Sequence, residues 1–399
     1  MSISQQIPFI PIVGISQLIF ISQISRNLSE NSYINALLVL NLSSLLTFLD
    51  FGLIFSFFYL MNSARLNSEV SAEIEYKIAK LSLRLAFIEL SFGVLLQIFE
   101  LQKSFAIYLC LFALNLPGLL NLIHLRVKNK PITYLILFNL SWPLSATMTL
   151  LFRSQLRQLG YLTGFLPLFV STIINSIYLY KTRKTNLYRT VLARKLSLSD
   201  SATFSKRFIA SSFLSTSIFS IISQSDKYLA AGVSNKSELA LFLTYSQILN
   251  GLLAVMNVSY LYTNLGKYSG KESKILTAIF PSIFIGILYL ITSSIFVQYF
   301  SGGMKNSSKF LVTGFFILVL NGFLFATSAK FSLRGRPNLR IIGQIVQLSI
   351  LSVGVFLFWN WESLLCLQLI YSASIIVNIV TCQILLHSKY SAHLSQESE

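Results

Sequence analysis

The chain has 399 residues, 54% of them apolar and only 11% charged, with a formal net charge of +17. A soluble domain carries roughly 25% charged residues and needs polar groups to cover its outside, so a large soluble fold is excluded. The basic residues sit in short connections between apolar runs, the pattern of a membrane protein and not of a nucleic-acid binder.

A spanning helix needs about 20 mostly apolar residues. Twelve runs qualify in chain order: 7–25, 33–61, 78–99, 104–124, 132–151, 161–180, 208–225, 239–262, 275–299, 310–329, 341–359 and 363–386. The first, from Ile7, lacks a basic leader and a cleavage site and reads as a retained span. The second is long enough to tilt or to project beyond the bilayer. Pro117, Pro143, Pro167 and Pro281 interrupt later runs, as happens where helices bend or a cavity opens.

Orientation follows from the cations. With the N-terminus in the cytoplasm, 22 of the 31 Lys and Arg residues fall in inner connections, 8 in outer ones, and Arg84 within a span. The positive-inside bias therefore predicts both termini in the cytoplasm. The largest inner connection, 181–207, holds eight basic residues and divides the runs six and six. The predicted organisation is an N-terminal six-helix half (1–185), a basic cytoplasmic connection (186–207) and a C-terminal six-helix half (208–399). Two halves inserted in the same direction can pack about an axis along the membrane normal. Within the connection, 187–198 reads either as an amphipathic helix on the inner leaflet or as a solvated basic linker.

An ionisable group near the bilayer centre costs about 2.5–3.5 kcal/mol on insertion scales, so each one asks for a function or a partner. Asp50 lies in the second run, Arg84 and Glu89 in the third, Asp226 and Lys227 at the outer end of the seventh, and Lys330 at the inner end of the tenth. Glu89 is too short to snorkel, whereas Arg84 and Lys330 can reach the inner interface. Glu89 and Asp50 are candidates to face an aqueous cavity, the alternative being a structural hydrogen bond at a helix contact. The spans also carry many amides and hydroxyls, among them Gln17, Asn41, Ser215, Gln247, Asn250, Gln344 and Gln347. These either join helices or line a hydrated cavity.

Cys110, Cys366 and Cys382 lie inside apolar runs without metal-ligand spacing, and no cofactor or metal site is expected. His124, His387 and His393 sit at a span edge and in the tail. No Walker loop, HExxH or Gly-x-Ser-x-Gly occurs, and the outer connections are short. These absences speak against an enzyme.

Two stretches carry a resemblance. SQISRNLSENSYINALLVLNLSSLLTFLDFGLIFSFFYL has an arginine and small loop before a Tyr-containing helix start, then Asp50-Phe51-Gly52. FLSTSIFSIISQSDKYLAAGVSNKSELALFLTYSQI closes the seventh run with an aspartate, an apolar turn and a glycine. Together with the twelve-span layout they resemble O-antigen flippases of the Wzx type, in the multidrug/oligosaccharidyl-lipid/polysaccharide exporter superfamily. The resemblance implies an all-α, V-shaped, alternating-access protein of the bacterial inner membrane that translocates an undecaprenyl-diphosphate-linked oligosaccharide. It also implies membrane lipid, a polysaccharide polymerase and chain-length machinery as partners. Arg84, Lys330 and Lys227 would then attract the diphosphate, and Glu89 or Asp50 would couple transport to protons or ions. The competing readings are a multidrug or toxin antiporter of the same fold, a membrane-bound glycan transferase or polymerase, and a structural assembly protein. Asp226, expected at the outer edge of its span, argues at this stage against the antiporter.

Overall fold

The computed structural model describes residues 9–45, 53, 57, 68–127, 131–183, 187–189, 206–233, 236–264, 276–300, 307–333, 337–358 and 364–387. Among these residues there are helices and no strands. In the N-terminal half they are α1 (Phe9–Asn27), α2 (Glu30–Leu45), α3 (Ser68–Ile98), α4 (Lys103–Val127), α5 (Pro131–Asn139), α6 (Ser141–Leu151), α7 (Arg153–Leu159), a 3-10 turn (Gly160–Phe165) and α8 (Leu166–Lys181). The C-terminal half has α9 (Lys206–Val233), α10 (Lys236–Asn264), α11 (Leu276–Phe300), α12 (Ser308–Leu333), α13 (Pro337–Phe358) and α14 (Leu364–His387). By length and composition alone, the described stretches 72–98, 103–125, 153–181, 339–357 and 364–386 can cross a bilayer.

Eleven of the twelve predicted runs coincide with a helix, a helix pair or a 3-10 turn and helix, and the differences have local causes. The second, 33–61, is described continuously only to Leu45, and most of the rest lies outside the described residues. The fifth run is split into α5 and α6 at Leu140. Pro143 has no N–H to give the carbonyl of Asn139, and its ring clashes there, so the bend falls one turn upstream. Helix α3 begins ten residues before the apolar run. Its first turns are held by good helix formers and by a Lys77–Glu73 ion pair at 2.6 Å. At 31 residues it is about 46 Å long, well beyond a ~30 Å hydrocarbon core. Helix α9 runs past the end of its apolar run to Val233, which moves Asp226 and Lys227 from an expected span edge to the helix interior.

The packing repeats itself. In the N-terminal half α1 packs on α6, α3 on α4, α4 on α8, and α6 on α8; in the C-terminal half α9 packs on α13, α11 on α12, α12 on α14, and α13 on α14. Counting α5 and α6 as one span, the second set is the first displaced by six spans. Two similar bundles are therefore built from sequences with no evident likeness, because an apolar stripe specifies a packing face and not its partner.

The hydrophobic core does not divide at the same place as the spans. Phe20, Ile24, Leu37 and Leu40 of α1 and α2 belong to one cluster with Phe242, Leu318 and Ile375 of the C-terminal half. A second cluster joins α3 and α4 to Phe165, Leu187 and Tyr188. The 3-10 turn lies flat on α2 because Gly164 has no side chain; a Cβ there would come within 2.4 Å of the Ala36 carbonyl oxygen.

At the start of the basic connection Leu187 and Tyr188 are buried in the protein, while Lys181, Arg183 and Arg189 are exposed. Leu187 and Tyr188 are 1% and 4% exposed. The Leu187 N–H donates to Asn121 Oδ1 at 3.2 Å, and the Tyr188 hydroxyl lies 2.9 Å from Ser82 Oγ. Burial pushes the Tyr188 phenol well above its ordinary pKa, offset in part by the Ser82 bond, so it stays protonated. The rest of the proposed amphipathic stretch, 190–198, lies outside the described residues.

The charge asymmetry makes a topological prediction. Since α9 ends at Val233 and α10 begins at Lys236, the outer connection between them is very short. Ser234→Cys is expected to react with an impermeant thiol reagent from the periplasmic side and Ser199→Cys from the cytoplasmic side only. The reverse pattern would overturn the orientation.

Candidate functional site

The two halves meet along α1 and α2 on one side and α9 and α10 on the other, where a row of polar contacts runs beside the shared apolar cluster. The Tyr33 hydroxyl lies 2.7 Å from Thr244 Oγ1. One turn on, Gln247 Nε2 donates to the Leu37 carbonyl at 3.4 Å, and a further turn on Asn250 Nδ2 donates to Asn41 Oδ1 at 3.0 Å. Helix α1 joins through Gln17, whose Nε2 donates to the Gln247 carbonyl at 3.2 Å. These steps of three or four residues put successive donors and acceptors on one face of each helix. The ladder runs from Tyr33 to Asn41 of α2, about 12 Å, from near the helix N-terminus inward.

Asp226 and Lys227 lie just behind this seam. They are 3% and 2% exposed. Lys227 Nζ donates to Asp226 Oδ1 at 2.9 Å and to the Ser223 carbonyl at 2.7 Å. A buried pair of this kind survives only when each charge is compensated, and here the two cancel. Asp226 is thus well inside the protein, and the argument that its position disfavours an antiporter falls away.

Elsewhere between its helices the C-terminal half is rich in neutral polar side chains. Ser215 Oγ donates to Gln344 Oε1 at 3.0 Å between α9 and α13. Asn378 Nδ2 donates to Gln347 Oε1 at 2.6 Å between α13 and α14. Thr313 Oγ1 donates to Gln368 between α12 and α14. Among the described residues, Gln224 Oε1 and Gln344 Nε2 are buried without a hydrogen-bond partner. Each such atom costs about 1–3 kcal/mol.

Of the six ionisable residues singled out in the sequence, the structure describes the side chains of four, and among these Asp226 and Lys227 meet. Glu89 is 4% exposed. It lies one turn before Gly93, where α3 approaches α4 so closely that a Cβ would sit 2.8 Å from Cys110 Sγ. Its buried side therefore faces α4. Arg84 is exposed on α3. Lys330 falls within α12, but its side chain lies outside the described residues, as does Asp50. Two features were not anticipated. Tyr33 and Thr244, unremarkable near helix starts, form the first rung of the ladder. His124, expected at a span edge, is 3% exposed with Nε2 3.1 Å from Glu75 Oε1.

Beside the seam a cavity of about 410 Å³ opens between α1, α6 and α11. Its walls are mostly apolar, with Gln23, Ser22 and Arg26 toward the C-terminal end of α1.

No protein-family model and no curated relative matches the chain. Solved structures do, over nearly its whole length. An outward-facing multidrug resistance MATE family transporter of the MOP superfamily matches with 14% identity, 98% of this chain, 95% of that chain and a TM-score of 0.61. An inward-facing MATE family transporter matches at 15%, with 96% of each chain covered and a TM-score of 0.57. A MOP superfamily transporter from Pyrococcus furiosus, described as having a binding pocket of reversed polarity that suggests a different function, matches at 15%, over 96% of this chain and 93% of that one, with a TM-score of 0.56. At these identities the likeness is one of fold.

Proposed function

We propose that this chain is a multi-pass membrane exporter that works by alternating access, rocking one six-span half against the other across the α1/α2–α9/α10 seam. The observation that carries this reading is the whole-length likeness to transporters of one fold in both inward-facing and outward-facing forms. The polar ladder supplies a closure of the right kind, since hydrogen bonds between membrane helices average about 0.6 kcal/mol and break readily. The cargo that follows from the solved relatives is an organic solute of the multidrug type. The test is efflux of a fluorescent cation such as ethidium from cells stripped of their own exporters, compared with cells lacking this chain. Equal retention in both removes the multidrug reading.

A second reading has its own support. The buried charges of α9 cancel, so the pair presents no net charge to an organic cation, while the C-terminal half carries buried amides and hydroxyls such as Gln344, Gln347, Gln368 and Asn378. A neutral hydrogen-bonding interior suits a glycan, and the apolar cavity beside α1 suits a hydrocarbon chain. This is the oligosaccharide-lipid flippase that the two sequence stretches resemble, with Arg84 and Lys330 as cations for a diphosphate. Deletion of the gene is then expected to remove a surface polysaccharide and leave its lipid-linked repeat unit in the cytoplasmic leaflet. An unchanged surface polysaccharide sinks this reading.

Glu89 discriminates within either reading. Glu89→Gln keeps the shape of the side chain and removes its charge. If Glu89 serves coupling or cargo, export is lost while membrane abundance stays near normal. Loss of the protein from the membrane assigns Glu89 to the α3–α4 contact instead.

A further inference from the structure

The end of the molecule that holds Tyr33 carries a second cavity, of about 580 Å³, where α2, the start of α4, the 3-10 turn and α9 come together. We propose that it is a saccharide subsite, taking one neutral pyranose ring of the cargo; this rests on the oligosaccharide reading above.

The lining is the first argument. Asn35, Gln102 and Ser104 supply amide and hydroxyl groups, and Phe105, Tyr161 and Tyr228 supply rings, over an aliphatic floor from α2. Among the described residues that line it there is no carboxylate, ammonium or guanidinium, and the neighbouring Lys103 and Glu100 pair with each other at 3.3 Å. A pyranose has an apolar face of C–H bonds and a rim of hydroxyls that both donate and accept. Aromatic rings match the face, and an amide, with two donors and an acceptor oxygen, matches the rim. A diphosphate or an organic cation finds no opposite charge here. The volume is that of a small-molecule site, within the usual ~300–1,000 Å³.

The second argument is independent of the lining. Gln102 has φ 46, in the left-handed region that side chains other than Gly and Asn avoid. Glu100 in the same turn has φ 55; of the two, Gln102 lines the cavity. It stands in the turn between α3 and α4, directly before α4, and its carbonyl accepts the Ala106 N–H at 3.0 Å. Glycine would make this turn without strain. The chain instead keeps an amide side chain there and holds it against the cavity. Strained backbone of this sort persists where the surroundings over-determine it, commonly at ligand sites.

Position completes the case. Asn35 is near the start of α2, Gln102 and Ser104 at the start of α4, Tyr161 just before α8, and Tyr228 in the second half of α9. Under the charge-derived orientation all of them lie toward the outer side, where cargo is released. The Tyr228 hydroxyl donates to the Leu38 carbonyl at 3.3 Å, so this cavity also borders the seam between the halves, and its walls separate when the seam opens.

The test uses the full chain in lipid nanodiscs with chitotetraose and maltotetraose as probes, read by saturation-transfer NMR. Wild type is expected to transfer saturation to the ring protons of at least one probe. Gln102→Gly is expected to raise Tm, because the strain is relieved, and to weaken binding at least tenfold. A merely structural Gln102 would raise Tm and leave binding unchanged, which overturns the proposal, as does the absence of transfer to both probes. Tyr161→Ala is expected to lose binding and Tyr161→Phe to keep most of it. In cells the two failures separate. A deletion that leaves every surface polysaccharide intact removes the flippase reading. A deletion that abolishes one, fully complemented by both Gln102→Gly and Tyr161→Ala, removes the subsite alone.

Discussion

Lys227→Met is expected to destabilise the folded protein by about 3–5 kcal/mol, the cost of leaving one buried charge without its partner. Both members of the pair are almost fully buried, at 2% and 3% exposure, so water cannot take the place of the missing ammonium. Asp226→Ala is expected to be comparably damaging, since it leaves the ammonium with only the Ser223 carbonyl of its two present partners. The informative variant is the double one. Asp226→Asn with Lys227→Met removes both charges and keeps the volume, and buried pairs replaced in this way are often neutral or stabilising. Membrane abundance and thermal unfolding in detergent measure all three. Single variants as stable as wild type would mean that the pair is hydrated in the membrane and opens to a cavity. The double variant carries a functional reading too. If it folds and exports normally, the pair is structural; if it folds and export stops, the charges take part in transport.

Fixing the ladder between the halves is expected to stop transport altogether. Asn41 and Asn250 form its innermost described rung, at 3.0 Å. Asn41→Cys with Asn250→Cys, joined by a short bifunctional methanethiosulfonate, replaces a bond of about 0.6 kcal/mol with covalent links. Four rungs of that strength sum to only about 2–3 kcal/mol, a closure that thermal motion opens, whereas the cross-link does not. Cys110 and Cys366 are partly accessible and would be changed to Ala; Cys382, 1% exposed and donating to Asn378 Oδ1, can remain. Export is expected to fall to background on cross-linking and to return when a reductant cleaves the bridge. Undiminished export by the cross-linked protein would show that the halves do not part along this seam. Asn41→Ala alone is expected to have a small effect, because one rung in four is lost.

The number and order of the spans were determined by the sequence alone, and the reason is the solvent. In hydrocarbon every backbone N–H and C=O must be satisfied within its own helix, so an apolar run of sufficient length has one fate wherever it stands in the chain. The bend in the fifth span is equally local, since Pro143 acts on its own turn. Even the two-half layout was legible, because it follows from an even span count and the basic connection between the sixth and seventh. The polar residues were legible as a population: Gln17, Asn41, Gln247 and Asn250 were all conspicuous in apolar surroundings.

Their partners were not, and here the tertiary structure decided. Tyr33 and Thr244 are 211 residues apart, and nothing in either segment encodes that they touch. Asp226 and Lys227 ended an apolar run and so resembled a water-facing helix end. They are buried because their charges cancel and because the packing of α9 against α2 and α13 carries the helix on to Val233. Tyr188 belonged to a basic, loop-like stretch, yet Ser82 and Asn121 receive it and its backbone neighbour inside the N-terminal bundle. The left-handed backbone of Gln102 could not be read from a side chain that ordinarily avoids it. Hydropathy is a sum over one segment and the bilayer responds to that sum, whereas a hydrogen bond depends on the positions of two atoms. Those positions are set by how all twelve spans pack at once, and that is why the membrane architecture was legible in the residues while the site became visible only in the folded chain.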